Sequence, residues 1–253
     1  MNQTKKLYLD DFTKNTCQAH VMHAFREKDR DVVILDQTLF YPQGGGQPCD
    51  QGTIQNDQTI FNVQDVRLID GIVKHFGVFT STPFEIGQEV YCKLDSERRM
   101  LHSRLHSAGH VLDKTLYELG FNWIPGKSYH FPNGPYVEYS GNLHNVDIDK
   151  LKNDIENLCN VWGTHGMPVT SKVVDKKTVL ANEQLIRRCA FLANLPDNKP
   201  IYVITYGDDF ASPCSGTHIT NVSEIGHIMI RKIKESDGTI RISYDIRSLP
   251  NGE

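Results

Sequence analysis

The sequence predicts an α+β chain in two parts, a small β-barrel-like N-terminal domain over residues 1–94 and an α+β domain over residues 95–253. Three observations carry this prediction. Short apolar or alternating runs separated by turn residues fill the first third. The hydrophobic period changes to a helical one near Asp95. Beyond it helical and strand-like segments alternate, ending in a run patterned as a hairpin.

Strands of the first domain are expected over residues 6–9, 31–35, 59–66, 71–78 and 89–94, with turns at Asn56 and Asp57, Asp70 and Gly71, and Ile86 and Gly87. Among them lies Tyr41-Pro42-Gln43-Gly44-Gly45-Gly46-Gln47-Pro48, followed by Asp50 and Gly52. Three consecutive glycines are costly to order and cannot pack a strand. They form either a flexible hairpin loop or a bare backbone that approaches another surface closely. From 96 to 119, Leu101, Leu105, Ala108, Leu112, Leu116 and Leu119 recur at three- and four-residue steps, with Ser96 as N-cap and Gly120 as stop. A second helix is expected over 147–162, burying Ile148, Leu151, Ile155 and Leu158. Strands are expected over 136–139, 169–174 and 201–206, and a final hairpin of 225–233 with 239–246 around Asp237 and Gly238.

Composition is that of a soluble globular chain, 39% hydrophobic and 23% charged. A net charge of −4 excludes an all-over basic, nonspecific nucleic-acid binder, although it permits a local basic patch. No apolar run approaches the roughly 20 residues of a membrane span. The first residues lack the apolar core of a secretory signal, so a cytoplasmic protein without membrane contact is expected. Cys17, Cys49, Cys92, Cys159, Cys189 and Cys214 show no disulfide-scaffold spacing and are expected as free thiols, save for one metal ligand.

Two spacings carry chemistry. His106 and His110 sit four apart on the predicted helix, where side chains lie one above the other. Ala108 and Gly109 keep that turn slim and let another segment come close. Cys214 and His218, again four apart, add a thiolate and an imidazole. Together the four offer the sulfur and nitrogen donors of a tetrahedral zinc site. Alone, either pair is commonly polar surface or inert core, and the joint case requires the segments to meet in space. His102, one turn before His106, competes as a ligand. No glutamate stands in the pair as in HExxH, which counts against peptide hydrolysis.

These motifs resemble the zinc motif shared by alanyl- and threonyl-tRNA editing domains. The upstream Gly44-Gly45-Gly46-Gln47-Pro48-x-Asp50-x-Gly52 resembles the alanyl-type signature. Arg98 and Arg99 before the helix, and Thr220-Asn221 with Glu224-Ile225-Gly226 after the Cys/His pair, fit the same type. The resemblance runs from about Leu39 to Ile246 and is to the AlaX type, the free-standing homologue of the alanyl-tRNA synthetase editing domain.

It implies that the second domain is a zinc-containing editing domain with one zinc ion per chain, held by His106, His110, Cys214 and His218. It implies trans-editing: deacylation of mischarged tRNA(Ala), chiefly Ser-tRNA(Ala) and also Gly-tRNA(Ala), by zinc-assisted ester hydrolysis. Cys214 and His218 are the expected catalytic residues, His218 as fourth ligand or as general base. Expected substrate contacts are Gln43, Gly45, Gln47, Ser128, Ser215 and Thr217. Expected tRNA contacts are Arg98, Arg99, Arg231, Lys232 and Lys234, with Arg104, Arg187 and Arg188 also basic. The partner is tRNA(Ala) carrying serine or glycine, with no obligatory protein partner. Two departures stand out. The family's threonine after the histidine helix has no counterpart in residues 123–128, and Ser215 replaces a glycine. Competing readings are a zinc-stabilised tRNA-binding module without catalysis and an editing hydrolase for another aminoacyl-tRNA.

Overall fold

Strands that alternate buried and exposed residues bend into a barrel in the first part of the chain. The computed structural model describes residues 3–181 and 200–247. Arg187, Arg188 and Cys189 lie outside them. The chain divides into two compact units, Met1–Leu101 and His102–Glu253.

The first unit opens with β1 (Lys5–Lys6) and a helical turn, α1 (Leu7–Asp10). β1 pairs in parallel with β4 (Gln37–Thr38). The strand expected over 6–9 is therefore mostly helical. Its Leu-Tyr-Leu run lacks β-branched residues, and Tyr8 is buried edge-on against Tyr41. Six strands close the barrel: β2 (Thr16–Glu27), β3 (Arg30–Leu35), β5 (Gly52–Gln55), β6 (Ile60–Ile69), β7 (Ile72–Phe79) and β8 (Glu89–Leu94), in the order β2-β3-β7-β6-β5-β8. In β8 strict alternation turns Val90, Cys92 and Leu94 inward, where they join Val21, Leu35, Phe61 and Val73 in one core. β2 escaped the sequence reading because a register shift between Val21 and His23 breaks its alternation.

The glycine-rich segment is a tight turn. Gly44 and Gln47 exchange both backbone hydrogen bonds, at 3.2 and 2.8 Å. Gly45 and Gly46 between them have φ of 53° and 78°, the paired positive values of a type I′ turn. Two of the three glycines are thus required by backbone geometry. Asp50 anchors the segment: it accepts from Tyr41 N at 2.6 Å and from Arg99 Nε at 3.0 Å. Arg99 also donates to the carbonyls of Leu39 and Phe12, at 2.6 and 3.0 Å.

α2 (Ser96–Glu118) follows. Its cap is Asp95, whose carboxylate accepts from Arg98 N at 3.0 Å, so Ser96 is the first helical residue and not the cap. At its end Phe121 N bonds Leu116 O and Gly120 N bonds Tyr117 O, with Gly120 at φ 83°, a Schellman stop.

The second unit holds two antiparallel sheets. β9 (Ile124–Tyr129), β10 (Tyr136–Ser140), β14 (His227–Ser236) and β15 (Thr239–Arg247) order as β14-β15-β10-β9. β11 (Val169–Val174), β12 (Ile201–Tyr206) and β13 (Phe210–Pro213) form the other. α3 (Ile148–His165) is capped by Asp147 and buries Leu151, Ile155 and Cys159, while α4 (Lys176–Leu180) is one short turn. The final hairpin turns at Asp237 and Gly238, both at positive φ. Its first strand starts later than expected, because Val222–Ile225 forms a 3-10 turn closed by a capping box between Asn221 and Glu224. A bulge between Ile230 and Lys232 resets the pleat, so Ile228, Ile230 and Ile233 all face inward. Without it Lys232 would follow Ile230 into the core. No helix among the described residues is long and apolar enough to cross a membrane.

Candidate metal centre

The histidine pair is set by α2. Leu105, Val111, Leu112 and Leu116 are buried, and the same packing leaves His106 and His110 only 3% and 9% exposed. Their rings lie nearly parallel, 5.2 Å apart at the centroids. The second pair comes from the loop after β13. Cys214 N bonds Tyr202 O at 2.9 Å as the sheet ends, and Cys214 Sγ accepts from Gly216 N at 3.4 Å.

Two serines one turn apart on α2 hold this loop. Ser103 Oγ bonds Thr217 Oγ1 at 2.8 Å, and Ser107 Oγ accepts from Ile219 N at 3.2 Å. His218 lies between these ties, its Nδ1 near Tyr206 Oη at 3.2 Å and Ser107 Oγ at 3.4 Å, which fixes its ring. The two segments meet. Cys214 Sγ is 3.4 Å from His106 Nε2, and one ligand atom from each of His106, His110, Cys214 and His218 lies within 4.8 Å of all the others. This group could hold a metal ion. His110 Nδ1 faces Asp113 at 3.8 Å, and Asp113 accepts from Tyr139 Oη at 2.6 Å.

Burial sets the protonation. It pushes His106 down to about 4, and takes His218 well below its ordinary value, with further lowering from His106, His110 and His130. The Cys214 thiol is pushed up to about 11 by burial, against the opposing N–H groups of Gly216 and Ser215. At neutral pH His106 and His218 are therefore uncharged, with lone pairs available to a metal. The thiol must lose a proton when one binds.

Other expected residues fall elsewhere. His102 is buried on α2 but is not one of the four. Thr217 is fully buried, and its hydroxyl ties the loop to Ser103. Ser215 is exposed, and Ser128 is half-buried on β9 opposite Val137. In the first unit Gln43 and Gly45 are exposed, whereas Gln47 is fully buried. Arg99 is 4% exposed and bonded to Asp50 and two carbonyls. Arg98 is half-buried and donates to Cys49 O. Arg104 is half-buried on Ile225 O. Arg231, Lys232 and Lys234 are exposed, Arg231 paired with Asp245 and the two lysines close enough that Lys234 lowers the pKa of Lys232.

Sequence reasoning missed His130. It follows β9, is 3% exposed, and stacks on His106 with centroids 4.5 Å apart. Its one trace in the sequence is Gly109: a Cβ there would lie 2.5 Å from His130 Cε1. The slim turn admits this ring.

Comparison with known proteins agrees in kind. The model of class II (A) tRNA synthetases matches residues 5–98, and that of the threonyl and alanyl tRNA synthetase second additional domain matches residues 201–243. The alanine–tRNA ligase of Methanothrix thermoacetophila is 33% identical over 84% of this chain and 23% of its own length. That of Archaeoglobus fulgidus is 31% identical over 95% of this chain and 26% of its own length. The alanyl-tRNA editing protein AlaX-L of Pyrococcus horikoshii is 28% identical over 95% of this chain and 57% of its own length. The chain thus spans about a quarter of the ligases it matches and little more than half of the editing protein. Over nearly its whole length the chain is similar to the alanyl-tRNA editing protein AlaX-L and to a stretch of the alanine–tRNA ligases.

Proposed function

We propose that this chain is a zinc-dependent deacylase that hydrolyses the ester of mischarged tRNA(Ala), chiefly Ser-tRNA(Ala), with Gly-tRNA(Ala) as a second substrate. The observation that carries the reading is the meeting of His106 and Cys214, 108 residues apart in sequence, in a four-donor group. Three imidazoles and a thiol are the donor set zinc prefers. Donors of a tetrahedral zinc ion sit roughly 3.3–3.8 Å apart, given bonds of about 2.0–2.3 Å. A contraction of about an ångström would bring this group to that geometry. Asp113 behind His110, and Tyr206 with Ser107 behind His218, orient the rings as outer partners of ligating histidines do.

A bound zinc ion supplies Lewis acidity, polarising the ester carbonyl or lowering the pKa of water towards about 7. The chain's own part is to hold the donors rigid, exclude bulk water by burial, and orient the ester. We assign His218 as the fourth ligand. Arg98, Lys232 and Lys234 supply charge for the tRNA backbone, and the substrate implies a cytoplasmic reaction.

Four protein donors also close a tetrahedral shell, which favours a second reading: a structural zinc in a tRNA-binding module without catalysis. One experiment separates the two. Purified protein is mixed with Ser-tRNA(Ala), Gly-tRNA(Ala), Ala-tRNA(Ala) and Ser-tRNA(Thr), and loss of the labelled amino acid is followed. Selective loss from Ser-tRNA(Ala), stopped by chelation, is expected. Binding without any deacylation would establish the second reading instead.

A further inference from the structure

Discrimination against alanine requires a fixed partner for the hydroxyl that serine adds, since a roomy pocket discriminates weakly. The three hydroxyl residues among the expected substrate contacts are poor candidates. Thr217 is tied to Ser103, Ser215 is exposed, and Ser128 already has a partner. His130 meets the requirement.

Its hydrogen bonds define its tautomer. Tyr244 Oη lies 2.8 Å from Leu105 O, a carbonyl that can only accept, so the single phenol proton goes there. Tyr244 Oη is also 2.7 Å from His130 Nδ1 and must accept from it. The neutral ring therefore carries its proton on Nδ1 and presents Nε2 as an acceptor. Among the described residues Nε2 forms no hydrogen bond, although the ring is 3% exposed. The ring is also locked in place. It stacks on His106 at 4.5 Å, Tyr244 holds one edge, and Gly109 leaves the room for it that any Cβ would take. Yet His130 is outside the four-donor group, so it stands beside the metal centre without belonging to it.

We propose that His130, through Nε2, is the hydrogen-bond acceptor that reads the hydroxyl of a seryl ester, a specificity residue for the editing reaction and resting on that assignment. A serine hydroxyl donates to Nε2. An alanine methyl would bury the same acceptor unpaired, which disfavours correctly charged tRNA(Ala). Glycine brings neither hydroxyl nor methyl and gains nothing from this contact.

The test uses the metal-loaded protein and non-hydrolysable 3′-amide analogues of seryl-, alanyl- and glycyl-adenosine. His130→Asn keeps an amide donor near the Nδ1 position for Tyr244 and removes the Nε2 acceptor, while His130→Gln can return a polar atom near the Nε2 position. We expect wild type to prefer the seryl analogue and His130→Asn to lose that preference by about ten- to a hundredfold. Affinity for the alanyl and glycyl analogues should change less than about threefold, with partial recovery in His130→Gln. Imidazole nitrogen NMR of the wild type needs no variant: the Nε2 signal should move with the seryl analogue and stay with the alanyl one. Equal weakening of all three analogues, or an Nε2 signal indifferent to the hydroxyl, would overturn the assignment. If His130→Asn kept the seryl preference while wild type deacylated Ser-tRNA(Ala), only the role of His130 would fail. A wild type that neither binds the analogues nor deacylates any tRNA would remove the editing assignment and this one together.

Discussion

Two histidines buried in different units, His75 in the barrel and His106 in the metal centre, share a pKa pushed down to about 4 by burial. Their surroundings differ completely. His75 Nδ1 donates to Val33 O at 3.0 Å and its Nε2 accepts from Thr38 Oγ1 at 2.8 Å, so both nitrogens serve the barrel. His106 turns Nε2 to the sulfur of Cys214 and stacks between His110 and His130. A depressed pKa alone therefore does not mark a functional site. What marks one is nitrogens converging with other donors instead of ending on backbone and hydroxyl groups.

The sharpest way to break this comparison is by substitution at each centre. Cys214→Ala should remove stoichiometric metal and lower deacylation by roughly a thousandfold, the several kcal/mol a catalytic metal supplies. His75→Leu should leave the metal content unchanged and lower only the unfolding stability. Metal analysis beside a deacylation assay reads both, and full metal retention in Cys214→Ala would end the proposed site.

Acid should next expose what the two rings have in common. Above pH 6.5 both are neutral folded and unfolded, and their stability contribution is fully present. As pH falls towards about 4 the unfolded chain takes up protons that the folded chain refuses, and stability is lost. The gap from 6.5 to about 4 corresponds to roughly 3 kcal/mol per ring in metal-free protein. Denaturant titrations at pH 7 and pH 5 with chelator should show the loss, and His75→Leu should remove the barrel's share. Equal stability at both pH values would contradict the burial argument.

A smaller effect separates the carboxylates. Asp113→Asn should weaken metal affinity by about ten- to a hundredfold, as loss of an outer partner of a ligating histidine does. Competition with a chelating dye measures it, and unchanged affinity would relieve Asp113 of that role. The smallest effect concerns the exposed lysines of β14. Lys232→Ala and Lys234→Ala should each reduce the salt dependence of tRNA binding by about one ion. An unaltered slope would move the tRNA surface elsewhere.

Much of the fold was legible because its signals are local. β11 and β12 occupy the expected positions, and the Asp237-Gly238 turn carries the positive φ pair its residues announce. The misses share one cause. β2 hides behind a bulge, β5 buries one apolar residue in four, and the start of β14 yields to a capped 3-10 turn, so in each case tertiary packing overrode a short pattern. The burial of Arg99 was not legible either, because a sequence shows charge but not burial.

The sequence by itself determined the donors. Residue type and the i to i+4 interval specify two imidazoles on one helical face, and a thiol with a third imidazole four residues apart, because helix periodicity and side-chain chemistry are short-range properties. Only the tertiary structure decided that these pairs meet, that Ser103 and Ser107 clamp the second to the first, and that His130 enters beside Gly109. Those are contacts between segments far apart along the chain, settled by the packing of the whole second unit, and no local spacing encodes them.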